Sequence, residues 1–147
     1  MGAMEYAQSE FITSPQNRKI HCRVLGSGRR NILFFHGYPG SSKQSDLFLP
    51  FLEKYDLRIL TPDRPGYGKS DVNEVVNIQE DVRDAERILD FFGIEKIELI
   101  SVSGGTPFAI KSAIGLGSRV KSFGIFCGLA PLGIHEFRSE LRLLSIL

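Results

Sequence analysis

The chain has 147 residues, 42% hydrophobic and 24% charged, which fits a single soluble globular domain that buries roughly 70% of its unfolded surface. Lys and Arg number 18 against 17 Asp and Glu, a formal net charge of +1, and Arg29-Arg30 is too short for a basic patch, so no nucleic-acid partner is expected. The two cysteines, Cys22 and Cys127, sit in apolar strand-like segments and read as buried reduced thiols; with no CxxC and no His-rich cluster, no metal site and no cofactor is expected.

The N-terminus lacks a signal-peptide layout, Tyr6 stands where a myristoylation motif needs Ser or Thr, and "MGAM" reads as a cloning scar. The longest nearly apolar run, "FGIFCGLAPLGI", is far short of the roughly 18 residues that span a bilayer. No membrane span is expected, and a cytoplasmic location is the default.

In chain order, "KIHCRVLG" alternates: Ile20, Cys22 and Val24 share one face, and His21 and Arg23 the other, which is expected to face outward. "EFITS" is placed to pair with it as a hairpin across "PQN". "NILFFHG" is a short continuous apolar run, as in a parallel strand covered on both faces. Residues 44–55, with Leu47, Phe48, Phe51, Leu52 and Tyr55, predict a helix, and "LRILTPD" the next buried strand. In "NIQEDVRDAERILDFFG", Ile78, Val82, Ala85, Leu89 and Phe92 form an apolar helical stripe, with Asn77 as cap, Glu80 completing a capping box and Gly93 as stop. "KIELISV" is another strand, "TPFAIKSAIG" a helix with Pro107 in its first turn, and "VKSFGIFCG" the last strand. From residue 134, "IHEFRSELRLLSIL" reads as an amphipathic helix.

Strand and helix alternating at short spacing predict an α/β fold: a mostly parallel twisted sheet flanked by helices, in one domain without repeats or linkers. Chemistry in such sheets sits at the carboxyl ends of the strands, which singles out "HGYPGSS", "DRPGYGKS" and "SVSGG". Ser103 stands between a strand and a helix, where small residues two before and two after, Ser101 and Gly105, relieve crowding. Taken alone, this is as compatible with an ordinary tight turn as with a nucleophile. The helix N-terminus behind Ser103 offers free N–H groups and a positive dipole end to a developing oxyanion. In "HGYPGSS", His36 reads as a hydrogen-bonding structural histidine, and Gly37 lets the backbone turn so that the N–H of Tyr38 points at the same pocket. "DRPGYGKS" is no phosphate loop, because Asp63 occupies the place of the required first glycine; Asp63 and Arg64 instead tie down a loop beside the pocket.

These three stretches in this order resemble the α/β-hydrolase superfamily over about residues 18–130. The resemblance implies Ser103 as nucleophile and the backbone N–H groups of Tyr38 and Gly104 as oxyanion hole. The elbow departs from the family pattern at Ser101, where a glycine is usual. The HGxPGS form is similar to epoxide hydrolases and dehalogenases, but those use an aspartate nucleophile. The serine therefore implies hydrolysis of an acyl (ester or amide-like) or related bond of a small-molecule substrate, as in esterases, lipases, peptidases and C–C bond hydrolases.

The family supplies its acid and then its histidine after later strands. Here the chain is expected to stop after about the sixth strand, with residues 132–147 starting the lid and His135 at the lid entrance. The expectation is thus a partial domain, nearly inactive alone, with an open sheet edge at "SFGIFCG" that favours self-association or a complementing chain. A catalytically silent binding or regulatory module with the same fold is the alternative from another class. An α/β domain without a pocket would need three coincidental turns and ranks last.

Overall fold

In the computed structural model, which describes residues 7–74 and 78–129 apart from the Ile78 side chain, the chain alternates strands and helices around one sheet. Its strands are β1 (Ala7–Thr13), β2 (Lys19–Leu25), β3 (Arg30–Phe35), β4 (Leu57–Pro62), β5 (Ile97–Val102) and β6 (Val120–Phe126). The two α-helices among the described residues are α1 (Ile78–Phe91) and α2 (Thr106–Leu116). The sheet order is β1-β2-β4-β3-β5-β6. β1, β2 and β4 pair antiparallel, whereas β4, β3, β5 and β6 run parallel. The expected hairpin is present: Phe11 lies opposite His21, and the turn closes through the Asn17 N–H on the Ser14 carbonyl at 2.9 Å.

Alternation along the strands feeds two core layers. On one face Ile20, Cys22, Leu33, Phe35, Leu60 and Leu99 meet Ala85, Ile88 and Leu89 of α1 and Ala109 and Leu116 of α2. On the other, Leu25, Ile32, Phe34, Leu57 and Ile59 pack with Leu52. Burying one such Leu or Ile side chain contributes about 1.5–3 kcal/mol, so these two layers hold the strand ends in place. Val82, Ala85 and Leu89 of the expected stripe are buried, joined by Ile88, and Phe92 packs at the margin. Gly93 ends α1 at φ +64, where the Ile94 N–H reaches the Leu89 carbonyl at 2.8 Å.

Three expectations are corrected. His21 is buried, 3% exposed, because its ring is held between Asp63 and Ser9 and lies against Phe11. The segment that follows β3, expected as a helix over residues 44–55, is a 3-10 helix with other bounds, Ser42–Phe51. Pro50 inside it withholds one N–H, and the Ser41 hydroxyl accepts from Lys43 N–H at its start. Its apolar side chains divide: Leu52 is buried and Phe48 meets Phe34 edge-on at 5.1 Å, while Leu47, Phe51 and Tyr55 stay exposed. Cys127 is an exposed free thiol, while Cys22 is buried as expected. The apolar neighbours that made Cys127 look interior, Phe123, Ile125 and Phe126, are themselves exposed on the edge strand β6. Asn77, His135, the residue 134–147 helix, the lid start and "MGAM" lie outside the described residues.

Candidate active site

Ser103 follows the last residue of β5 directly, and α2 begins three residues later. Its φ is +46, a left-handed conformation that costs an L-residue roughly 1–2 kcal/mol. The Thr106 N–H donates to the Ser103 carbonyl, so the bend closes as one 3-10 turn running into α2. Ser103 itself is half-buried, whereas Ser101 two residues earlier is wholly buried.

The two glycines behind the serine are required by what passes over them. A Cβ on Gly105 would lie 2.2 Å from the Phe35 carbonyl oxygen, so α2 can start against the end of β3 only without one. A Cβ on Gly104 would lie 2.9 Å from Tyr38 Cβ and 3.2 Å from Tyr38 N. A Cβ on Gly37 would come within 3.5 Å of Ser103 Cβ. The structure therefore brings Gly37, Tyr38, Ser103, Gly104 and Gly105 together at the carboxyl ends of β3 and β5.

The His36–Ser42 loop is fixed by hydrogen bonds that leave particular amides free. Gly37 N–H donates to Gln44 Oε1 at 2.7 Å, and Gln44 Nε2 donates to the Pro39 carbonyl at 3.4 Å. Ser42 N–H donates to Asp63 at 2.5 Å. Pro39 has no N–H, so among these residues the Tyr38 amide is the uncommitted one nearest Gly104. Sequence reading missed Gln44; its spacing of seven from Gly37 has no periodic signature that would have found it.

His36 is fully buried. Its Nδ1 bonds the Gly37 carbonyl at 3.0 Å, and its Nε2 accepts from Arg64 N–H at 3.4 Å, so both ring nitrogens are used. Burial, with the nearby Arg64 charge, pushes its pKa below the ordinary histidine value and keeps the ring neutral. The Arg64 guanidinium donates to the His36 carbonyl, donates to the Gly37 carbonyl at 3.3 Å, and stacks over Tyr67 and Phe108 with its carbon 4.7 Å from each ring centre. It thereby bolts the His-Gly loop to α2.

Asp63 is the second bolt. One carboxylate oxygen accepts from Ser42 N–H, and the other from Lys69 N–H at 3.0 Å and from His21 Nδ1 at 2.7 Å. Burial alone would raise its pKa, but the Ser42 and Lys69 amides and His21 outweigh it and hold the carboxyl below its ordinary value. His21, expected to face solvent, is thus an internal partner of Asp63. The missed signal was that a strand covered on both faces has no outward side.

A separate charge cluster lies on α1. Arg18 bonds Asp84 at 2.5 Å, and Asp84 also takes Arg87 at 2.8 Å. Burial and the Asp84 charge push the Asp81 carboxyl up to about 7, against the pull of Arg64 and Arg18. Beside it, Gln16, Arg18, Asp71 and Glu80 help line a cleft of about 590 Å³, which does not include Ser103. Among the described residues no group of three or more His, Cys, Asp or Glu could hold a metal, and no helix is long and apolar enough to cross a membrane.

A serine at positive φ between strand and helix thus stands beside a His-Gly loop. The chain belongs to the α/β-hydrolase fold family, whose model matches residues 30–139. A Comamonas testosteroni 2-hydroxy-6-oxononadienedioate/2-hydroxy-6-oxononatrienedioate hydrolase is 31% identical over 90% of this chain and 49% of its own length. A Rhodococcus erythropolis non-heme haloperoxidase is 31% identical over 82% of this chain and 44% of its own length. Among solved structures, an esterase from Exiguobacterium antarcticum superposes with TM-score 0.75 at 23% identity, covering 84% of this chain and 47% of that one. A Vigna radiata epoxide hydrolase superposes with TM-score 0.73 at 22% identity, covering 85% and 39%. At those identities the superpositions speak for the fold. The chain spans about half the length of the curated relatives it matches.

Proposed function

We propose that the chain forms one domain carrying the nucleophile half of a serine hydrolase site. Ser103 attacks the carbonyl carbon of a small acyl substrate, and the Tyr38 and Gly104 amides hold the oxyanion. The observation that carries this reading is the positive φ of Ser103 beside Tyr38, with Gly104 leaving room for the Tyr38 amide at 3.2 Å from its would-be Cβ. A serine has no structural reason to hold that conformation where glycine would sit unstrained. His36, Gly37, Arg64, Asp63 and Gly105 then serve to position the loop and the bend. Several relatives are named as hydrolases of 2-hydroxy-6-oxo dienoates, which favours a ketone carbonyl as the target. The general base and its orienting acid are expected from residues outside this chain, as in the family's chain order.

A fluorophosphonate probe tests the reading. Labelling confined to the peptide containing Ser103, in this chain joined to a complementing C-terminal half, is the expected result. A folded, complemented protein that stays unlabelled at Ser103 overturns it and favours a silent binding module.

We also propose that β6 is a pairing edge. Phe123, Ile125 and Phe126 are exposed along it, with Leu129 just beyond. An unpaired apolar edge strand recruits another strand. Sedimentation at rising concentration should show dimers or larger species, and Ile125→Lys should return the chain to monomer; a monomer at every concentration refutes this.

A further inference from the structure

His21 is engaged at both ring nitrogens. Nδ1 lies 2.7 Å from Asp63 Oδ2, and Nε2 lies 3.1 Å from Ser9 Oγ. Asp63 is an acceptor on every side, taking the Ser42 and Lys69 amides as well. The Nδ1 nitrogen therefore donates to Asp63, and in the neutral ring Nε2 accepts from the Ser9 hydroxyl. His21 and Asp63 are 3% and 2% exposed, whereas Ser9 is exposed on β1, at one edge of the sheet. The hydroxyl of an exposed residue, a buried imidazole and a buried carboxylate are joined by two successive hydrogen bonds. This is the arrangement that activates a serine.

We infer that Ser9 is an acyl-acceptor site separate from Ser103, with His21 as its general base and Asp63 orienting His21, reactive towards activated esters. Strand register makes the line possible: Ser9 lies opposite Arg23 and Phe11 opposite His21, so Ser9 is the diagonal neighbour of His21 across the hairpin. The half-exposed Phe11 ring tilts against the imidazole at 5.2 Å and offers an apolar surface to an aryl ester. In the step, Ser9 Oγ bonds the acyl carbon while its proton passes to His21 Nε2. The carbon–oxygen bond to the leaving group then breaks, and His21 returns the proton to the departing phenolate. The products are an ester on Ser9 and a free phenol, and no oxidant or further reactant enters.

General-base assistance alone is worth about 10²–10⁴-fold. The pair of amides proposed to hold the oxyanion at Ser103 is not part of this line. Single acylation by esters with good leaving groups is therefore the reaction, not turnover of ordinary esters. Ser9 is independent of the role proposed for Ser103, and the two are read on different peptides.

The test uses the whole chain carrying Ser103→Ala, incubated with p-nitrophenyl acetate and mapped by mass spectrometry. Ser27 and Ser118, both exposed, serve as unassisted serines in the same digest. Acetylation of Ser9 at least about 100-fold faster than of Ser27 or Ser118 is expected from base assistance. A His21→Gln chain with an unchanged circular dichroism spectrum should bring Ser9 down to their rate. Ser9 reacting no faster than Ser27 and Ser118 overturns the inference, and that comparison stands even if His21→Gln does not fold.

Discussion

Asp63→Asn is expected to lower the unfolding free energy by about 2–3 kcal/mol. The amide oxygen can serve the Lys69 and His21 side, while the buried Ser42 N–H loses its acceptor, at roughly 1–3 kcal/mol for one such group. The native carboxylate offers one oxygen to Ser42 N–H and the other to Lys69 N–H and His21. An amide can turn its oxygen to only one of these sides. Its NH₂ then faces the buried Ser42 N–H on the other side, in a site only 2% exposed. Against a total stability of about 5–15 kcal/mol, such a loss leaves the chain marginal. The sign with pH follows from the depressed carboxyl of Asp63. Its contribution is complete above the ordinary carboxylate value and disappears as pH falls through the lower folded value, so wild type and Asp63→Asn should converge in acid. Urea unfolding at pH 7 and at pH 3 checks both parts. A deficit under about 1 kcal/mol at pH 7 would mean the donor finds water instead, and the loop is not bolted as described.

That bolt shows where sequence reading reaches and where it stops. Local patterns carried the strands, α1 and the bend at Ser103, because period and small-residue spacing act over a few positions. Val82, Ala85 and Leu89 are buried by the same stripe that the sequence displays. Long-range partners left no such trace. Asp63 and His21 are 42 residues apart, and Arg64 reaches back 28 residues to His36. Nothing in "KIHCRVLG" says that its second face is covered; that depends on where the Ser42–Phe51 segment settles. Cys127 fails for the opposite reason. Its neighbours are apolar, yet among the described residues β6 is an edge strand, so composition promised burial that this topology does not supply. Gln44 was invisible because a loop clamp needs only one side chain at the right place, with no repeat to reveal it.

Replacing Ser103 should separate strain from chemistry. In a complemented protein, Ser103→Ala and Ser103→Gly should both abolish probe labelling, and loss of the serine from an assembled triad costs around 10⁶-fold in turnover. Their stabilities should differ, and in an unusual order. At an ordinary position glycine is less stable than alanine by about 0.5–1 kcal/mol, through the entropy of the unfolded chain. At φ +46 alanine keeps the Cβ that the left-handed conformation penalises by roughly 1–2 kcal/mol, and glycine does not. The second effect outweighs the first, so Ser103→Gly should be the more stable of the two by up to about 1.5 kcal/mol. Thermal unfolding of the two variants side by side measures the difference without needing activity. If alanine proves the more stable, the bend relaxes at no cost and the strain that singles out Ser103 is absent. If glycine does, while labelling is lost in both, the chain holds a serine where its own backbone prefers glycine, and the retained hydroxyl is accounted for by what it attacks.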